Sequence, residues 1–266
     1  MKGRGLIVVK IGTNGLMRNG RMDQRIFNRL ARQIHWLRTQ GYYVVVVSSG
    51  GIRAGREALA HIVDQGFINL ADLQDDEIAA TGARHLLNHW GRALRPYGRD
   101  VPQIWPIHSQ LRGYIGRHLR ARIMHCLECG LIPIINEYDI VSKAEIDAMK
   151  VGGENDHLAE RVAMLLKASS ILFLTTCGGV YTTNPHHDEQ AQRYLEVDWR
   201  NIEDLKVDDD TSSDGHGGML PKLKAALTCA RRGMRVAIAS PLERNVITRF
   251  VQGKEVGTAI GTRTRL

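Results

Sequence analysis

Cysteines are few in this 266-residue chain, long apolar runs are missing, and no tract of one charge stands out. Cys126, Cys129, Cys177 and Cys229 are too sparse for the disulfide framework of a small secreted domain. Cys126 and Cys129 have zinc-ligand spacing, but they sit in a helical pattern ending at Gly130 and no second pair completes four ligands. They read as ordinary thiols, and no protein-held metal is expected. The longest aliphatic runs, Tyr42 to Val47 and Ile171 to Leu174, fall far short of the roughly 18 apolar residues that span a bilayer. Leu6-Ile7-Val8-Val9 ends at Lys10, too short for the core of a secretory signal, so a soluble cytoplasmic protein with no membrane partner is expected. Lys and Arg number 36 against 28 Asp and Glu, a formal charge of +8. The 27 arginines and 9 lysines are interleaved with acids, and Arg112, Arg117, Arg120 and Arg122 do not share one helical face, so a nucleic-acid partner is permitted but not demanded. Hydrophobic residues at 43% and charged residues at 24% exclude disordered, collagen-like and coiled-coil classes.

What is present is an alternation of short β-branched runs with amphipathic stretches, which predicts an α/β fold with a mainly parallel sheet. Strands are expected at Leu6 to Val9, Tyr42 to Val47, Val101 to Trp105, Leu131 to Ile135, Ser170 to Leu174, Val236 to Ala239 and Val256 to Ile260. Ile26, Leu30, Ile34 and Leu37 recur at helical spacing after Asp23 and before Gly41; further helices are expected near Glu77 to Leu94, Tyr114 to Cys129, Asp156 to Lys167 and Met219 to Arg231. There are no internal repeats, low-complexity tracts or linkers rich in Pro, Gly or Ser, and the length fits one large domain or two small ones.

In open α/β sheets, ligands bind beyond the carboxyl ends of the strands, and the loops expected there are rich in Gly, Ser, Asn and Asp. Lys10-Ile11-Gly12-Thr13 offers a cation and a turn that a phosphate can approach. Ser48-Ser49-Gly50-Gly51 opens toward a helix, whose free amides and dipole favour anions. Asn136-Glu137-Tyr138-Asp139 and, further on, Asn155-Asp156 gather amides and carboxylates, with Asp139 and Asn155 the expected substrate ligands; Asp156 has the alternative of a plain helix cap. Thr175-Thr176-Cys177-Gly178-Gly179 follows another apolar strand, and His216-Gly217-Gly218-Met219 leads to Lys222. No Walker A, dinucleotide-fold or protein-kinase motif occurs.

These loops, in this order, resemble the amino acid kinase family over essentially the whole chain. Ser49-Gly50-Gly51-Ile52-Arg53-Ala54-Gly55-Arg56-Glu57 and Gly217-Gly218-Met219 with Lys222 are its most specific segments, beside Val8 to Thr13, Pro133 to Asp139 and Gly179 to Pro185. The likeness is strongest to members that phosphorylate the side-chain carboxylate of L-glutamate at the start of proline synthesis. It implies a three-layer α/β/α sandwich, with the amino acid in the N-terminal half and ATP in the C-terminal half. It also implies Lys10 and Lys222 on the transferring phosphoryl group, Asp156 orienting both lysines, and Ser49, Gly50, Asp139 and Asn155 on the amino acid. Lys10, Gly12, Thr175, Thr176, His216, Gly217, Gly218, Met219 and Lys222 would line the ATP site, with Mg²⁺ bound through the nucleotide phosphates. A homodimer or homotetramer is implied, and a single domain over 1–266 where many members continue into a PUA domain. A carboxylate with a reference pKa of about 4.3 is already ionised at neutral pH, so alignment and charge neutralisation suffice.

Several positions depart from the family's usual pattern. Thr176 stands where an Asp is usual and His216 where a Thr is usual; Asp147-Ala148-Met149 resembles an insertion; Asp75-Asp76-Glu77 is unusually acidic. These bear on the acceptor more than on the reaction, and leave a sibling kinase acting on another small acid as the alternative. A non-catalytic nucleotide-binding protein of the same fold is the reading against which Lys10, Asp156 and Lys222 weigh.

Overall fold

Leu6–Ile11 forms β1 at the middle of the molecule, and its alternate residues enter two different cores. Ile7, Val9 and Ile11 face one layer and Leu6 and Val8 the other, as the period of two in a strand requires. The computed structural model describes residues 4–141, 155–185, 187–198, 205 and 218–261. Within these, the later strands are β2 (Met17–Arg18), β3 (Arg21–Met22), β4 (Tyr43–Ser48), β5 (Gln103–Ile104), β6 (Ile134–Ile135), β7 (Ser170–Leu174), β8 (Glu196–Val197), β9 (Arg235–Ala239) and β10 (Thr258–Ile260). The helices are α1 (Gln24–Thr39), α2 (Gly51–Asp64), α3 (Asp75–Leu94), α4 (Gly113–Glu128), α5 (Asn155–Leu166), α6 (Met219–Arg231) and α7 (Val246–Val251).

The eight-stranded sheet runs β5-β6-β4-β1-β7-β9-β10-β8. All neighbours from β5 to β9 are parallel, while β10 pairs antiparallel to β9 and carries β8 with it. One core holds the inner faces of α1, α3 and α7 with Phe27, Ile34, Trp90 and Phe250; the other holds those of α4, α5 and α6 with Ile123, Val162, Phe173 and Leu223. The architecture is therefore an α/β/α sandwich. The chain builds leftward from β1 to β4 and β6 and then crosses to β7, so β1 is where strand order reverses and a crevice opens at the carboxyl edge.

Local chemistry explains the elements. In α1, Ile26, Phe27, Leu30, Ile34 and Leu37 form the buried stripe, and the Asp23 carboxylate caps the helix by accepting from the Arg25 amide at 2.9 Å. β4 is buried on both faces, which is why its sequence reads as continuous valine and not as an alternation. Trp90, fully buried, donates its indole N–H to the Ser48 hydroxyl at 3.0 Å, fixing α3 against the end of β4.

Two expectations from sequence change, and three short elements are new. The helix toward which Ser48 to Gly51 opens begins inside that segment, at Gly51, and runs to Asp64 as α2. Two strands are shorter than expected: Gln103–Ile104 is the sheet edge and has one ladder only, and Ile134–Ile135, paired on both sides, is held to the two residues that β5 and β4 both reach. The hairpin of β2 and β3 and the short helix α7 carry too few residues to show a period.

Candidate functional site

Lys10 is the fifth residue of β1 and shares the face of Leu6 and Val8, which turns its side chain toward the layer of α5 and α6. Both helices begin at the carboxyl edge there, so the first turn of each brings one charged side chain to the same point. Lys10 Nζ lies 2.7 Å from Asp156 Oδ1, and Lys222 Nζ lies 2.6 Å from Asp156 Oδ2. Three residues separated by most of the chain thus form one cluster in which none is more than 8% exposed. Burial by itself would raise the Asp156 carboxyl, but the two ammonium charges and their hydrogen bonds outweigh it and hold the group at about 2. Asp156 is thereby committed to the lysines and not to capping α5, whose first residue is Asn155.

The other loop residues line up along the sheet edge in strand order. Asp139 follows β6, Ser49 and Gly50 follow β4, Lys10 and Gly12 close β1, and Thr175 and Thr176 follow β7. Strands lie about 4.8 Å apart, so the row from β6 to β7 spans roughly 14 Å with Lys10 inside it. Gly50 takes a left-handed φ of 116°, where a Cβ would also come within 2.7 Å of Met22 Cε in the hairpin. α2 starts behind Gly50, and α6 starts behind Gly218; neither N-cap residue makes a side-chain cap among the described residues, and both helices turn the positive ends of their dipoles to this edge. Gly12 behaves differently from its sequence reading, because its amide is spent on the Leu174 carbonyl at 3.0 Å and is not offered to a phosphate. The Thr175 amide is likewise bonded to Ala239 O at 2.9 Å, whereas Thr176 is exposed. Met219 opens α6 and is half-buried. His216, Gly217 and the stretch Asp147 to Met149 lie outside the described residues.

On the β6 side the environment is acidic. Burial first, and then the charges of Glu137 and Asp76, push the Asp139 carboxyl up to about 7. Among the described residues the Oδ1 atoms of Asn136 and Asn155 are buried without a hydrogen-bond partner, so two acceptors flank Asp139 and Asp156 ready for a donor. Asn136 and Glu137 belong to the loop the sequence marks but carry no role there, and His108, 3.2 Å from Glu137, does not stand out in sequence at all. The signal was available for His108, which occupies a loop after a strand at the same carboxyl edge. Cys126 and Cys129 are free thiols away from this edge, at the far end of α4. Among the described residues no group of three or more His, Cys, Asp or Glu is placed to hold a metal ion, and both Asp156 oxygens face ammonium groups.

The family model described as "Amino acid kinase family" matches residues 5–240, and the chain belongs to that family. A glutamate 5-kinase of Methanosarcina mazei is 34% identical over 265 residues, covering 95% of this chain and 66% of that protein. A glutamate 5-kinase of Herpetosiphon aurantiacus is 35% identical over 256 residues, covering 95% and 67%. The chain thus spans about two thirds of the length of the curated relatives it matches. The crystal structure of a UMP kinase from Bacillus anthracis superposes with a TM-score of 0.64 over 99% of this chain and 98% of that one at 18% identity, a likeness of fold.

Proposed function

We propose that the chain transfers the terminal phosphoryl group of ATP to the side-chain carboxylate of a small amino acid, L-glutamate in the first place, as the opening step of proline synthesis. The observation that carries this reading is the buried Asp156 carboxylate gripped by Lys10 and Lys222 at the strand-order reversal. An ionised carboxylate acceptor needs no general base. Its oxygen bonds to the γ-phosphorus as the bond to the bridging oxygen breaks, and ADP leaves. Negative charge spreads over the phosphoryl oxygens in that step, and Lys10 and Lys222 meet it with two ammonium groups already desolvated and fixed. Asp156 holds both ammonium groups at one point, one on each carboxylate oxygen.

The order of loops supports a division of labour. The acid sits on the β4 and β6 side with Ser49, Gly50, Asp139 and Asn155, and the nucleotide on the β7 side with Gly12, Thr175, Thr176, Gly218 and Met219. His216 and Gly217 join the nucleotide set by resemblance alone. A Mg²⁺ held by protein ligands does not fit the described residues; it would arrive on the nucleotide phosphates and offset their charge. In this reading residues 1–266 act as one kinase unit, in the cytoplasm, as a homodimer or homotetramer, which light scattering behind gel filtration would check.

A coupled ADP assay with hydroxylamine trapping across a panel of acidic and neutral amino acids tests the reaction. Glutamate-dependent ADP release with matching hydroxamate is expected. Turnover of another acid in place of glutamate moves the acceptor and keeps the reaction, and no acid-dependent hydroxamate at all sinks the proposal.

A further inference from the structure

A second buried polar cluster lies beside the lysine pair, and the proposed reaction does not use it. His108 opens the short turn after β5, Glu137 follows β6, and each is 4% exposed. β5 and β6 are neighbours, which brings His108 Nε2 to 3.2 Å from Glu137 Oε1, a close polar contact not aligned as a hydrogen bond. The His108 ring also packs on His157, with centroids 5.4 Å apart and planes tilted by 38°. His157 follows Asp156 directly and is locked by its own helix. Its Nε2 accepts from Arg161 Nε at 2.9 Å, so the ring proton sits on Nδ1, 3.2 Å from Glu160 Oε2.

His108 therefore packs against two segments at once: the loop that carries Asn136 and Asp139, and the start of α5 that carries Asn155 and Asp156. These are the segments whose buried Oδ1 atoms lack partners among the described residues. We propose that His108 is a positioning residue for the acceptor acid, bridging Glu137 and His157 to set the distance between the loop after β6 and the N-terminus of α5. The inference rests on the reading of the site as an amino acid kinase centre. A buried polar contact packed between two segments fixes their spacing, and loose support of a binding group is felt in substrate affinity.

The test is steady-state kinetics of the full chain with the acid and ATP each varied, for wild type, His108→Ala and His108→Gln, with melting curves alongside. His108→Ala is expected to raise the KM for the acid about tenfold while the KM for ATP stays within about twofold, the asymmetry a general loss of fold would not produce. His108→Gln keeps a donor toward Glu137 and should raise the acid KM only about threefold, a partial rescue. If His108→Ala does not fold, the Gln variant carries the test alone. A wild-type acid KM in His108→Ala, or in His108→Gln where the Ala variant does not fold, or an equal rise in both KM values, overturns the inference. A wild-type chain that turns over no acid overturns the underlying reading of function instead.

Discussion

Replacing Asp156 by Asn removes the charge that two buried lysines share while keeping the shape of the side chain. The folded carboxyl sits at about 2 against a reference of 3.8. At 1.36 kcal/mol per unit this corresponds to stability on the order of 2 kcal/mol. Because the folded value is depressed, the contribution is fully present above about pH 5 and is lost as pH falls from about 4 through 2. Asp156→Asn forgoes it at every pH and leaves two ammonium groups close together in a desolvated site, a change that costs about 3–5 kcal/mol for buried pairs. For a chain of this size that lowers the melting temperature by roughly 5–9 °C. Urea denaturation at neutral pH reads the loss directly, and a series of melts down to about pH 3 should show a shallower acid dependence in the variant. Adding Lys222→Met to Asp156→Asn removes one of the stranded charges and should recover at least about 1 kcal/mol. A loss under about 1 kcal/mol, or no recovery in the double variant, would refute the view that Asp156 clamps both lysines.

Other outcomes follow from the same geometry. Lys10→Ala and Lys222→Ala should each lower kcat roughly 10²–10³-fold, as removal of a preorganised charge stabiliser does, measured by acid-dependent ADP release. Burial and the Glu137 charge raise Asp139 to about 7, so the apparent affinity for an amino acid whose ammonium group meets the ionised form should rise between about pH 6 and 8. Calorimetric titration checks this, and Asp139→Asn should bind weakly with no such rise. Gly82→Ala places a Cβ inside contact distance of the Gly51 carbonyl and the Gly55 amide, forcing α2 and α3 apart. Denaturant unfolding should register a loss of about 1–3 kcal/mol or more, and unchanged stability would mean the helices do not approach so closely.

Much of the sheet is legible because its residues obey one period. Ser170–Leu174 and Met219–Arg231 fall where the apolar pattern places them, since a buried parallel strand and a core-facing helix each repeat one signal without exception. α2 defeats the same reasoning. Only Gly51, Ala54, Gly55 and Leu59 are buried in it, and the close approach to α3 through Gly55 and Gly82, not an apolar stripe, decides its path. The antiparallel turn of β10 leaves no mark in composition, because pairing direction is set by which strand edge remains open. In the site, Lys10 and Lys222 are visible as loop cations, but their meeting on one carboxylate depends on side-chain parity in β1 and on two helices starting at the same edge. His108 was hidden for a related reason. Its partners Glu137 and His157 are distant in sequence, and only the pairing of β5 with β6 brings the first of them near.

A crystal structure with a non-hydrolysable ATP analogue, Mg²⁺ and glutamate bears most directly on the central claim. Both Lys10 Nζ and Lys222 Nζ are expected about 3 Å from terminal phosphate oxygens, with the amino acid between Asp139 and Asn155 and its carboxylate facing that phosphate. A terminal phosphate seated away from the lysine pair, or an acid bound beyond reach of it, would contradict the account.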